Sequence, residues 1–160
     1  RRLAHGDAAA YAAGTEDPAV RAYAHLPAPR YTTGSVIEMI DGAVRLGLER
    51  GDLAVLALAD PATDEFAGSL VLFDATDSRA EVGFWVHPDS RGRGLSGAGL
   101  ELAARFARLS GLDRLTARTV VDNAGSRRVL ETAGFAPTQR ARGTTPSGAE
   151  AELLHYERAL

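Results

Sequence analysis

Residues 80–97 read Ala-Glu-Val-Gly-Phe-Trp-Val-His-Pro-Asp-Ser-Arg-Gly-Arg-Gly-Leu-Ser-Gly, and they carry the clearest chemistry in the chain. An extended apolar run enters a loop with two arginines and several glycines, and a helix follows. Glycine lets successive backbone N–H groups turn toward one point, and a helix start adds partial positive charge. Arg91 and Arg93 add full charges. The guest such a loop fits is a pyrophosphate or a similar anion. A plain helix start with exposed arginines is the simpler alternative, but glycine at this density costs helix stability without a reason. Gly92-x-Gly94-x-x-Gly97 also matches the dinucleotide fingerprint, with Asp122 at the end of the next strand. That reading is a nicotinamide-binding oxidoreductase, and it requires parallel strands on both sides of residues 80–86. A Walker phosphate loop is excluded, because the chain has no lysine.

The rest of the composition narrows the chemistry further. The chain has 160 residues with 45% hydrophobic, which fits one domain over residues 1–160. Such a chain buries roughly two thirds of the surface its unfolded form exposes, enough for a real core. All 18 basic residues are arginine, 21 residues are acidic, and the net charge is -3. That balance argues against a nucleic-acid partner. With no cysteine, disulfides, cysteine-ligated metals and a thiol nucleophile are excluded. With no lysine, Schiff-base chemistry is excluded as well. His5, His25, His87 and His155 are scattered singly, so no metal is expected. No apolar run approaches the ~20 residues of a membrane span, and no signal segment opens the chain. A cytoplasmic protein without a membrane partner is the expectation, as monomer or homodimer.

The elements that must position the loop follow from caps and periods. Asp7 before Ala8–Gly14 reads as a capped short helix ended by glycine. Pro18 to Ala24 reads as a second helical turn with proline at its first position. Ser35-Val36-Ile37-Glu38 has capping-box spacing and opens a helix to about Arg50, with Gly51 past its end. From Leu53 the period shortens. Strands are predicted at 53–59, 66–73 and 80–86, the last two joined by a short antiparallel connection. A helix at 95–109 follows the loop, then a strand at 114–121 and a helix at 124–132 closed by Gly134. Strands at 135–142 and 150–159 form a final pair around Gly143-Thr144-Thr145-Pro146-Ser147-Gly148. The order describes an α/β (α+β) layer on one sheet.

At this point the chain resembles a known family. Arg91-Gly92-Arg93-Gly94-Leu95-Ser96 is similar to the acetyl-CoA signature of the GNAT N-acetyltransferases, Arg/Gln-x-x-Gly-x-Gly/Ala, with Ser96 in place of the last glycine or alanine. Glu81 to Val86 resembles that family's fourth strand. Asn123-Ala-Gly-Ser126 with Gly134-Phe135 is similar to its second signature. The early helices, the Gly-Phe-Trp strand and Ser126 most resemble the ribosomal-protein N-terminal acetyltransferase (RimJ/RimL-like) branch, over about residues 3–158.

The resemblance implies a twisted, mostly antiparallel sheet of six to seven strands with helices on both faces, splayed in the middle around acetyl-CoA. It implies that backbone N–H groups of Arg91, Gly92, Arg93, Gly94, Leu95 and Ser96 meet the pyrophosphate. The open edge at Trp85 and Val86 would pair with pantetheine, and Asn123 would touch the same arm. Arg127 and Arg128 could meet the adenosine 3′-phosphate, or be solvated charges on a helix. The implied reaction is direct attack by a primary amine, of a protein N-terminus or a small molecule, on the thioester in a ternary complex. Glu81 is the implied base; its other reading is an exposed strand residue. Ser126 is the implied proton donor to the thiolate; its other reading is a small residue at a helix start. Many relatives carry a tyrosine acid where this chain has Leu130. Tyr156 could substitute, or be an ordinary residue of an amphipathic strand, and His87 could be a base or a loop histidine. A non-catalytic acyl-CoA-binding or sensing module is the alternative function.

Overall fold

The computed structural model describes residues 1–24, 26–145 and 149–160. His25 and the Pro146-Ser147-Gly148 part of the final turn lie outside the described residues. Among the described residues six strands form one sheet: β1 (Ala54–Ala59), β2 (Phe66–Phe73), β3 (Arg79–Val86), β4 (Arg114–Val120), β5 (Ala136–Thr144) and β6 (Glu150–Ala159), in the order β1-β2-β3-β4-β6-β5. An isolated antiparallel bridge between Arg2 and Leu56 adds a single rung on the outer side of β1. The helices are α1 (Ala8–Gly14), α2 (Pro18–Tyr23), α3 (Thr33–Met39), α4 (Arg45–Arg50), α5 (Leu95–Leu109) and α6 (Ala124–Thr132).

Strand parity sorts the apolar residues between two faces. Ala80 and Val82 of β3 join Leu70, Leu72, Leu100, Leu115, Leu130 and Tyr156 in one core cluster on the α5 face. Trp85, on the other face of β3, joins Tyr11, Tyr31, Val36 and Val20 in a second cluster under α1 and α3. The Trp85 ring lies edge-on to Tyr11 at 5.2 Å and to Phe66 at 5.6 Å. In α5, Leu100, Ala103, Ala104 and Ala107 are buried at helical spacing. Small residues there bring the helix close to the sheet. Each fully buried leucine in these cores contributes about 1.5–3 kcal/mol.

Local signals play out differently in four places. The capping box is Thr32 with Ser35, each accepting from the other's N–H, not Ser35 with Glu38. The helix it opens does reach Arg50 and ends at left-handed Gly51, but a five-residue π-helical segment, Ile40–Val44, interrupts it. Gly14 is no left-handed terminator. A Cβ there would come within 2.7 Å of the Trp85 indole, so the missing side chain admits the ring. Asp7 caps nothing in α1; its carboxylate takes the Ala4 N–H and pairs with Arg1.

The neighbours of β3 decide where a ligand can enter. β2 pairs with it antiparallel from Glu81 to Val86. β4 pairs with it parallel, through the α5 crossover, over only Arg79↔Arg114, Ala80↔Leu115 and Glu81↔Thr116. Beyond that point β4 stays with β6 as far as Val120↔Leu153, and β3 stays with β2. A wedge opens between them. One antiparallel and one parallel neighbour is not the arrangement that the dinucleotide reading of Gly92-x-Gly94-x-x-Gly97 requires, so that reading is corrected.

Candidate active site

The wedge exposes backbone on the β3 side. The His87 N–H donates to the Ala67 carbonyl at 2.8 Å. In an antiparallel ladder hydrogen-bonded pairs alternate, so Trp85 and Gly83 also turn their polar groups to β2. Phe84 and Val86 therefore turn theirs to the open side. Trp85 is 7% exposed, its indole locked in the second core. It borders the groove but anchors the strand, and Phe84, which alternates with it across the sheet, shares the open edge with Val86.

The loop at the wedge mouth is built to leave N–H groups free. His87 caps a short 3-10 turn, Pro88–Ser90, accepting from the Asp89 N–H, and its ring packs against α1 at Gly14. That accounts for His87 without a role in chemistry. Gly92 and Gly94 both have φ +75°, and at neither would a Cβ touch anything. Gly94 is the N-cap of α5, so no side chain satisfies the first turn. The first N–H groups of a helix have no partner within it. The Gly92, Arg93 and Gly94 N–H groups also make no hydrogen bond among the described residues. The charges are less free than the sequence suggests. Arg91 pairs with Asp17 at 2.6 Å, and Arg93 pairs with Asp60. The Arg91 guanidinium, then the Val20 N–H, hold the Asp17 carboxyl below the usual carboxylate range against the cost of burial. The Ala62 N–H and then Arg93 do the same for Asp60. Asp17 also caps α2, accepting from Ala19 and Val20. Sequence reading gave neither acid a role in the loop.

The other wall is the start of α6. Its N-cap Asn123 accepts from the Ser126 N–H at 3.0 Å. This leaves the Asn123 amide free to donate into the groove that it lines. Ser126 borders both a wedge cavity of about 160 Å3 and the loop groove of about 810 Å3, so it stands where the two meet. Arg128 is exposed and lines the groove. Arg127 turns under the helix, donating to the Val121 carbonyl at 3.2 Å.

Glu81 lines the wedge cavity from β3, and Arg118 of β4 donates to its Oε1 at 2.8 Å. The pair bridges the strands just where their ladder ends. Tyr156 is 1% exposed, packed in the first core, and its hydroxyl donates to Glu131 at 3.0 Å. It does not reach the wedge, and burial raises its pKa. Leu130 is likewise buried.

An open strand edge, an uncapped helix start and a channel between them make a groove that fits a long anionic acyl carrier. The profile of the acetyltransferase (GNAT) domain family matches residues 1–136, and the chain belongs to that family. It is therefore an acetyltransferase, and acetyl-CoA is its donor. No curated protein sequence matches the chain. Solved structures do. Mycobacterium smegmatis RimJ in complex with CoA-disulfide superimposes with a TM-score of 0.84 at 23% identity, over 99% of this chain and 80% of that one. RimL, a ribosomal L7/L12 alpha-N-protein acetyltransferase solved with coenzyme A, gives 0.85 at 17%, over 100% and 92%. The microcin C7 self-immunity acetyltransferase MccE, with acetyl-CoA and AMP, gives 0.82 at 16%, over 98% and 89%. The fold is thus the GNAT fold, with RimJ and RimL among its neighbours. Among the described residues no helix is long and apolar enough to cross a membrane.

Proposed function

We propose that the chain, as one transferase domain over residues 1–160, moves an acetyl group to a primary amine of a protein N-terminus or a small molecule. The observation that carries this is Ser126, which borders both the wedge cavity and the loop groove while Glu81 lines the cavity from the opposite wall. Bound acetyl-CoA supplies an activated thioester carbonyl. The N–H groups of Gly92 to Ser96 hold its diphosphate, with Gly92 and Gly94 letting them converge; the Arg91 N–H, expected to join them, is given instead to the Pro88 carbonyl. The Phe84 and Val86 backbone and the Asn123 amide hold the pantetheine arm. Arg128 meets the adenosine 3′-phosphate. Glu81 takes a proton from the incoming ammonium, directly or through water, with Arg118 fixing its carboxylate. The Ser126 Oγ gives a proton to the departing sulfur; its N–H is already held by Asn123, which orients the first turn. That RimL and a Salmonella typhimurium relative act on the N-terminus of L7/L12 supports an α-amine acceptor.

Calorimetric titration tests the donor site first. Saturable acetyl-CoA binding with no NAD(P)H binding is expected. Ser126→Ala is expected to lower kcat about 10-fold or more with little change in acetyl-CoA affinity, the scale of a general acid. Full turnover by this variant would remove Ser126 from the mechanism.

A further inference from the structure

Beside the wedge, on the sheet face under α1 and α3, lies a separate cavity of about 200 Å3. Its walls include Tyr11, Tyr31, Met39, Val44, Val55 and Val71, and its border with the wedge cavity is Gly83 and Phe84, which line both. None of the described lining residues is charged. The polar atoms there are committed or neutral. Ser69 donates to the Leu56 carbonyl, and the Tyr31 hydroxyl accepts from the Ala28 N–H. Burial pushes the Tyr11 and Tyr31 hydroxyls up, so neither is an anion that could draw a cation. The space exceeds the ~150 Å3 dry apolar cavity that accepts a benzene ring.

The other side of Glu81 is the opposite in character. A groove of about 360 Å3 there is lined by Asp74, Arg79, Arg118, His155 and Glu157. Glu81 and Gly83 point to the same face of β3, two residues apart, or about 6.6–6.8 Å. An amine at the Glu81 carboxylate that carries a substituent of side-chain length reaches past Gly83 into the apolar cavity. At Gly83 there is no side chain to bar the way.

We infer that this cavity seats a bulky uncharged group, branched aliphatic or aromatic, borne by the carbon next to the reacting amine. The acceptor class is then an apolar α-substituted primary amine, either free or as the first residue of a peptide, and not a polyamine or an aminoglycoside. The inference rests on the transfer reading above.

The test is a panel of leucinamide, phenylalaninamide, glycinamide, lysinamide and spermidine, with Leu- and Gly-initiated tetrapeptides, run beside calorimetric binding of N-acetylleucinamide and N-acetylglycinamide to the CoA-loaded enzyme. Leucinamide and phenylalaninamide should exceed glycinamide and lysinamide at least ~10-fold in kcat/KM, the scale a few buried methylenes give. N-acetylleucinamide should bind correspondingly tighter than N-acetylglycinamide. A tetrapeptide advantage over leucinamide assigns the source to a protein N-terminus; the reverse assigns it to a free amine. Val71 is the cross-strand neighbour of Gly83. Val71→Phe, and Val71→Met with a more flexible chain, should cut the leucinamide-to-glycinamide preference through KM while acetyl-CoA still binds. Equal use of all amines, or preference for spermidine or lysinamide, overturns the cavity assignment and leaves acetyl transfer standing. Acetyl-CoA binding with no amine acetylated overturns the transfer reading and this inference with it.

Discussion

Two helix starts face each other across the wedge, and they are finished differently. α6 opens on Asn123, whose side chain takes the Ser126 N–H. α5 opens on Gly94, which has no side chain to give and sits at φ +75°. An asparagine cap contributes roughly 1 kcal/mol over a residue that cannot cap. The chain takes that stability at α6, where the proposed chemistry needs Ser126 held still. At α5 glycine gives up only about a few tenths of a kcal/mol, and it leaves uncovered the N–H groups that the proposed diphosphate site uses. On that reading the capped start positions and the bare start binds.

The largest effect should come from spoiling the bare start. Gly94→Trp forces a left-handed backbone on an L side chain, at about 1–2 kcal/mol, and covers the N–H groups. Acetyl-CoA affinity should fall about 100-fold or more by calorimetry; affinity within a factor of two would end the diphosphate assignment. Asn123→Ala attacks the capped start. The loss of roughly 1 kcal/mol should lower Tm by about 2–4 °C for a chain of this length. Its signature is a fall in kcat larger than the fall in acetyl-CoA affinity. An unchanged kcat with the full Tm loss would mean that the cap holds the helix and not the chemistry. Arg91→Ala should weaken binding only a few-fold. Arg91 already spends its charge on Asp17, so much of its attraction for an anion is cancelled.

That last point marks where sequence reading stopped. β2, α5, α6 and β6 have the bounds predicted for them, because their signals are local: a glycine before the helix, Asn123 at a cap, alternation along a strand. The glycine loop between β3 and α5 was legible for the same reason. The partners of its arginines were not. Asp17 lies 74 residues from Arg91, and only the folded sheet brings α2 beside the loop. Asp17 caps α2 in the fold, a local role that gives no sign of a partner so far along the chain. Trp85 and Val86 were expected to share the pantetheine edge. A strand's side-chain pattern does not say which residues hydrogen-bond to which neighbour, and the Ala67–His87 bond leaves the open side of the strand to Phe84 and Val86. Gly14 looked like a helix terminator because the ring it admits comes from a strand 71 residues later in the chain.

The smallest expected effect sharpens the comparison most. Asp17→Asn keeps a residue that caps α2 about as well, but removes the negative charge that occupies Arg91. Arg91 is then released toward the bare start of α5, and acetyl-CoA should bind severalfold tighter at low salt, the gain fading as salt screens it. Apo stability should move the other way, and its pH dependence has a fixed sign. Hydrogen bonding from Arg91 sets the folded pKa of Asp17 below its ordinary 3.8. A carboxylate lowered in this way adds its stability above the unfolded value, and loses it as pH falls through the folded one. Wild type should therefore exceed Asp17→Asn in Tm near pH 7 by a small margin, as a half-exposed pair allows. The two should converge below about pH 4. A gap that persists unchanged at pH 3 would locate the difference in the cap rather than the ion pair. Tighter acetyl-CoA binding without any Tm gap would show that Asp17 restrains the anion site at no measurable cost to the fold.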